Sequence, residues 1–276
     1  MAEPTTPASR AERRAHTRRN RVRVGIGAAL VVVIVAVLGF VVFSGGGSDA
    51  KPKKVAAAPP PTTTIVTEPP TTTTTTPPHA VVATTKGGPV QVYDAPNGGV
   101  KTTLSARTDY LQPRTFLVVQ NQGDWLNVYL PMRPNDSTGF IRASDVNLSD
   151  TPYEIHVTLG DHMLRMLKDG QEVLSTPVVI GAPNTPTPLG TFFITDPVDL
   201  KSSPNGAYGA FALGLSGYSE VLYEFNGGPG QIAVHGTNNP SQVGQSISNG
   251  CVRVPNDIIL QIADQAPLGT PVIISA

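Results

Sequence analysis

The sequence predicts a mainly β protein in two folded pieces, carried behind an N-terminal transmembrane helix and a disordered Thr/Pro-rich stalk. Three observations lead there. From residue 86 onward, short runs of β-branched and aromatic residues recur between Gly-, Pro- and Asn-rich turn signals. Only the stretch after Pro255 carries a convincing helical apolar face in that part of the chain. Ahead of residue 86 the chain is first uniformly apolar and then lacks any hydrophobic period.

The elements follow in chain order. Residues 1–23 hold seven arginines against Glu3 and Glu12, a formal charge of +5. Residues 24–43 contain no charged or amide side chain. Twenty such residues match the roughly twenty that a helix needs to cross a bilayer core. The arginine flank assigns residues 1–23 to the cytoplasm and everything after Phe43 to the outside. A cleaved signal peptide is the rival, but its apolar region runs about 7–15 residues and ends at a small-residue cleavage site. Ser44-Gly45-Gly46 does not supply that pattern.

Residues 44–85 read as a linker. Pro59 to Pro78 is nearly all Thr and Pro, which cannot bury a core. Extended polyproline geometry gives such a segment a reach on the order of 120 Å. Dense Thr and Pro also suits O-glycosylation, with a passive spacer as the plainer alternative. The zero net charge of the chain conceals an asymmetry: from Val55 onward there are 10 basic and 17 acidic residues. An acidic ectodomain with one Trp and no basic stripe excludes nucleic-acid binding.

Residues 86–149 predict strands at Val90–Tyr93, Thr115–Val119, Trp125–Tyr129 and Gly139–Ile141, with turns at Asp94–Gly98 and Asn121–Asp124. Gly123-Asp124-Trp125-Leu126-Asn127-Val128, followed by Thr138-Gly139-Phe140-Ile141, resembles bacterial SH3-like domains. The resemblance implies a small β-barrel of a kind often associated with cell-wall binding, with wall glycan as a partner. Packing against the next piece is the alternative role.

Residues 152–276 are long enough for one modest core. Met163–Lys168 and Glu172–Thr176 flank Asp169-Gly170, a strong hairpin-turn signal. Further strands are predicted at Thr191–Ile194, Val221–Phe225, Gln231–Val234 and Val272–Ile274. Pro255 suits a first helical position, and Ile258, Ile259, Leu260, Ile262 and Ala263 supply the apolar face.

Cys251 is the only cysteine in the chain. Outside the cell an unpaired cysteine is a reactive thiol, half of an intermolecular bridge, or a small buried hydrophobe. A thiol becomes a nucleophile beside a histidine, a cation or a helix N-terminus. Arg253 lies two residues on, and the helix begins soon after. Of the five histidines, His16 is cytoplasmic, His79 falls in the stalk, and His156 and His162 read as solvent-facing. His235 differs: it ends the apolar run Ile232-Ala233-Val234 and precedes a glycine that lets a backbone approach. Neither the histidines nor the lone cysteine have zinc-ligand spacing, and no cofactor is expected.

His235-Gly236-Thr237 followed by Ser248-Asn249-Gly250-Cys251-Val252-Arg253 resembles the L,D-transpeptidase catalytic-domain family. Thr185–Phe192, Lys168–Val173 and Leu268–Val272 resemble further segments of that family, in the right order. The resemblance covers nearly all of residues 152–276. It implies a β-sandwich with one helix after the catalytic Cys. It implies an enzyme, a cysteine acyltransferase acting on peptidoglycan stem peptides. Cys251 would be the nucleophile and His235 the base, its ring oriented by the Gly236 carbonyl. Ser248 would orient the loop. Backbone N–H groups of Cys251, Gly250 and Asn249 would face the oxyanion, and Arg253 a substrate carboxylate. The product would be a 3→3 cross-link, and carbapenems would be covalent inhibitors. The implied setting is a bacterial membrane, with the catalytic part at the wall. Many members place histidine where this chain has Asn249. An L,D-carboxypeptidase, an enzyme attaching protein to the wall, and a non-catalytic wall-binding scaffold are the alternatives.

Overall fold

The computed structural model describes residues 79–276. The predicted cytoplasmic tail, transmembrane helix and all but the end of the stalk lie outside the described residues. Among the described residues no helix is long and apolar enough to cross a membrane.

The first piece is a seven-stranded sheet. Its strands are β1 (Ala80–Thr85), β2 (Val90–Tyr93), β3 (Val100–Leu104), β4 (Thr115–Asn121), β5 (Trp125–Tyr129), β6 (Thr138–Arg142) and β7 (Val146–Thr151). Their order is β3-β2-β6-β5-β4-β1-β7. Alternation builds its core, with Val90, Val92, Phe116, Leu126, Val128 and Ile141 fully buried. One expectation fails here. Residues 80–85 were assigned to the linker, yet they form β1, paired with both β4 and β7. Composition hid the strand: it follows the Thr/Pro tract directly and is itself part threonine. What makes it a strand is burial of Val82 and Ala83.

The second piece contains β8 (Tyr153–Thr158), β9 (Met163–Lys168), β10 (Gln171–Pro177), β11 (Ile180–Gly181), β12 (Gly190–Asp199) and β13 (Phe211–Tyr218). β14 (Gln231–Gly236), β15 (Ser246–Ser248), β16 (Val252–Val254), α1 (Asn256–Gln265) and β17 (Pro271–Ser275) follow. Eight strands run in the order β10-β9-β8-β17-β12-β13-β14-β16, and β11 pairs with β15 apart from them. β12 joins two half-sheets: Gly190–Phe193 pair with β17, and Ile194–Asp199 pair with β13 across a register shift. The halves share one core. Ile155, Val157, Leu164 and Met166 come from one side, Leu213, Leu215, Ile232 and Val234 from the other, and Ile259 and Ile262 from α1. That is a sandwich with a single helix.

The β9–β10 hairpin turns at Asp169-Gly170 with both residues at positive φ, 52° and 75°, as the turn signal predicts. The strand expected at Val221–Phe225 is absent. That segment is an irregular loop exposing Val221 and Tyr223, and the strand runs through Phe211–Tyr218 instead. Gly214, Ser216 and Gly217 depress strand propensity there, but pairing on both sides, with β12 and β14, overrides it.

The two pieces touch through the β5–β6 loop. Arg133 Nη1 donates to the Pro229 carbonyl at 2.9 Å, and Nη2 to those of Ser219 and Leu222 at 2.9 and 3.2 Å. Its guanidinium lies 4.7 Å from the Tyr218 ring centroid and 4.9 Å from that of Tyr223. Asn135 exchanges two hydrogen bonds with the Tyr218 backbone, and Asp136 accepts from the Thr191 N–H at 2.8 Å. Arg133 thus holds the loop between β13 and β14. Arg133→Ala strips three charged hydrogen bonds from that loop and is expected to lower the melting midpoint by roughly 5–10 °C. Amide exchange across residues 219–230 rises in parallel; an unchanged exchange pattern would show that the loop holds itself.

Candidate active site

His235 sits near the C-terminal end of β14, opposite Ala212 of β13 and, in parallel register, Arg253 of β16. It is 2 % exposed. Its Nδ1 lies 2.6 Å from the Gly236 carbonyl. A carbonyl only accepts, so the proton sits on Nδ1 and Nε2 keeps its lone pair. The Tyr208 ring stands edge-on with its centroid 4.9 Å away. Burial pushes the imidazole pKa down to about 4; the Gly236 carbonyl opposes this, Arg253 adds to it, and the Tyr208 carbonyl opposes it weakly.

Cys251 follows a tight turn out of β15. Ser248, fully buried, shapes that turn: its Oγ accepts from the Gly250 N–H at 3.1 Å and donates to the Cys251 carbonyl at 2.6 Å. The Ser248 carbonyl accepts from the Ala182 N–H and the Thr185 hydroxyl, both at 2.9 Å. Gly250 takes φ 108°, which a side chain rarely adopts. Burial raises the Cys251 pKa, opposed by the Ala233 backbone and by the charge of Arg253. At neutral pH the pair therefore rests as thiol and neutral imidazole.

One expected support is missing. α1 begins at Asn256, beyond all of β16. At about 3.3 Å per strand residue its first turn is more than about 10 Å from Cys251, outside the reach of a helix terminus. The sulfur is served by Ala233 and Arg253 instead.

Two cavities share Cys251 in their walls. The smaller, about 150 Å³, brings Cys251 together with His235, Asn249 and Arg253. The larger, about 590 Å³, adjoins it along Gly230, Gln231 and Ile232 and includes Asp196 and Tyr110. Arg253 Nε is buried without a partner among the described residues. Ser248 and Gly250 line neither cavity and act through the turn. The other described histidines are elsewhere. His79 lies 2.8 Å from both Asp150 and Asp169, His156 is 3.1 Å from Glu154, and His162 is 2.8 Å from the Ser246 hydroxyl. Sequence reasoning missed Tyr208 and Asp196, which line the cavities through a loop and strand register that carry no local motif, and Arg133, which holds the loop between β13 and β14.

The depressed histidine pKa has a consequence for stability. Unfolded, His235 protonates near its ordinary value of 6.5; folded, it resists until about 4. Its share of stability is complete above about pH 6.5 and is lost as pH falls through about 4, on the order of 3 kcal/mol. Urea unfolding at pH 7 and pH 4 should show this loss, and His235→Asn should shrink it.

A cysteine and a neutral histidine lining one cavity at a sheet edge are the equipment of a thiol-dependent acyl-transfer domain. The chain belongs to the L,D-transpeptidase catalytic-domain family, whose model matches residues 152–274. The YkuD protein of Bacillus licheniformis is 35% identical over 129 residues, 47% of this chain and 69% of that one. YkuD of Bacillus subtilis is 32% identical over 124 residues, 45% of this chain and 66% of that one. This chain therefore spans about two thirds of the length of these relatives. Among solved structures, Bd1075 of Bdellovibrio bacteriovorus is 28% identical, with a TM-score of 0.36 over 45% of this chain and 48% of that one. L,D-transpeptidase 3 from Mycobacterium tuberculosis is 15% identical, with a TM-score of 0.37 over 52% and 76%.

Proposed function

We propose that this protein is a membrane-anchored L,D-transpeptidase that forms 3→3 peptidoglycan cross-links through a thioester on Cys251. The observation that carries this is the shared cavity: Cys251 and His235 line it together, and the Gly236 carbonyl leaves the imidazole Nε2 as acceptor. The thiol proton passes to His235 as sulfur attacks the carbonyl of the third stem-peptide residue, a diamino acid. The Gly250 N–H is already donated to Ser248 Oγ, so oxyanion stabilisation falls to the N–H groups of Cys251 and Asn249. The imidazolium then protonates the departing D-Ala amine, leaving the thioester. An amine from a second stem peptide attacks it and gives its proton to His235, and the thiolate leaves. Arg253, unpartnered at Nε beside the smaller cavity, holds the carboxylate of the leaving D-Ala.

The first piece serves as an SH3-like module against wall glycan, and residues 24–43 anchor the chain in a bacterial membrane with the catalytic part at the wall. A carbapenem, as a strained acyl donor, acylates the same thiol. Full-length protein is incubated with disaccharide tetrapeptide, and the products are weighed by mass spectrometry. A cross-linked dimer is expected. Tripeptide alone makes the protein a carboxypeptidase, and unchanged substrate sinks the acyl-transfer reading.

A further inference from the structure

The larger cavity beside Cys251 carries a charge that the acyl transfer itself does not use. Its wall includes two carboxylates, Asp196 and Asp109, and no lysine, arginine or histidine. Asp196 lies at the register shift of β12 and is only 3 % exposed. Its Oδ2 accepts from the Thr195 hydroxyl at 2.7 Å and from Gln231 Nε2 at 3.2 Å. Its Oδ1 has no partner among the described residues. Buried carboxylate oxygens are rarely left unpaired, because losing water without a replacement donor is costly. Asp196 lines the cavity, and a carboxylate oxygen with no donor of its own favours a cationic partner there. Asp109 reaches the same cavity from the β3–β4 loop of the first piece, next to the exposed ring of Tyr110.

Strand register ties this carboxylate to the nucleophile. Asp196 stands opposite Gly214, and Gly214 opposite Ala233, which lines the same cavity as Cys251. Two strand spacings separate the Asp196 backbone from that of Ala233, roughly 10 Å. Gly214 keeps the floor between them bare: a Cβ there would stand 3.1 Å from Asp196 Cβ and 3.3 Å from Gln231 Nε2.

We propose that the larger cavity is a primary-ammonium subsite, in which Asp196 Oδ1, with Asp109 in the same lining, binds the side-chain ammonium of the residue whose carbonyl acylates Cys251. The assignment rests on the acyl-transfer reading. A diamino-acid side chain extended from that carbonyl, plus one ammonium hydrogen bond, spans a similar distance of roughly 10 Å. The two cavities adjoin at Cys251 and share the wall from Gly230 to Ile232, and they then carry opposite charge in their separate parts. The donor enters in one direction, with its ammonium towards Asp196 and the leaving-group carboxylate towards Arg253.

The test compares two synthetic tetrapeptide donors that differ only at the third residue, whose side-chain amine is free in one and N-acetylated in the other. The rate of acyl-enzyme formation on the full-length protein is read by intact mass. Wild type should be acylated at least about tenfold faster by the free amine, and Asp196→Asn should reduce that preference to within about threefold. Equal rates in the wild type overturn the subsite, and so does a tenfold preference that survives Asp196→Asn. Should Asp196→Asn fail to fold, the wild-type comparison decides alone, with Asp109→Asn expected to narrow the preference partially. A preference confined to the second step, aminolysis of the thioester, also overturns it, because the ammonium would then belong to the acceptor. Acylation by neither donor removes the acyl-transfer reading itself, an outcome distinct from equal rates.

Discussion

Cys251→Ala should abolish adduct formation with tetrapeptide donors and with carbapenems, and reduce turnover by at least about 10⁴-fold. The chain has one cysteine, so no second thiol can substitute. The fold should survive. The turn that presents residue 251 is made by Ser248 and the left-handed Gly250, neither of which depends on the sulfur. The thiol's interaction with the Ala233 backbone is a modest loss. Intact mass after incubation reads the adduct, and a thermal scan confirms folding. Turnover within tenfold of wild type in a folded Cys251→Ala protein would falsify thioester chemistry.

His235→Ala should lower the rate of acylation by about 10³-fold, within the range general bases supply. The same variant should change the pH profile in a way that a packing defect would not. In the wild type the imidazole becomes protonated only below about pH 4, so acylation falls off on the acid side there. Burial holds the Cys251 thiol above its ordinary pKa, so no stable thiolate is stored at neutral pH. Alkylation of the free enzyme by iodoacetamide should therefore keep rising into alkaline solution. His235→Ala should lose the acid limb near pH 4 and leave the alkaline rise. A flat alkylation plateau between pH 5 and 8 would show a preformed thiolate–imidazolium pair instead.

What could be read in the sequence was local. Asp169-Gly170 specifies its hairpin with two adjacent residues, and the run from Ser248 to Arg253 contains its own turn chemistry. His235-Gly236 carries its own ring orientation, because the carbonyl that accepts from Nδ1 belongs to the next residue. Features made by register or by distant contacts were not legible. β13 looks like a loop until it is flanked by β12 and β14. β1 looks like linker until Val82 and Ala83 are buried. Asp196 gains its place in the cavity wall only because two strand pairings line it up with Ala233. The helix after Cys251 shows the reverse error: nearness in sequence suggested an electrostatic role, and the extended geometry of β16 carries the helix out of range. Arg133, ninety residues from the loop it holds, has no sequence signal at all.

The position of β1 has a mechanical consequence. It is the first strand of the folded part, yet it lies inside its sheet, paired with β7 from Ala80 to Thr85 and with β4 from Val82 to Thr84. A pull on the chain ahead of His79 runs along the axis of β1. It loads the cross-strand bonds on both sides together, in shear, rather than peeling them off one by one. His79, bridged to Asp150 and Asp169 at 2.8 Å, clamps the point where that force enters. A load that enters from the N-terminal side is thus carried by both neighbours of β1 at once.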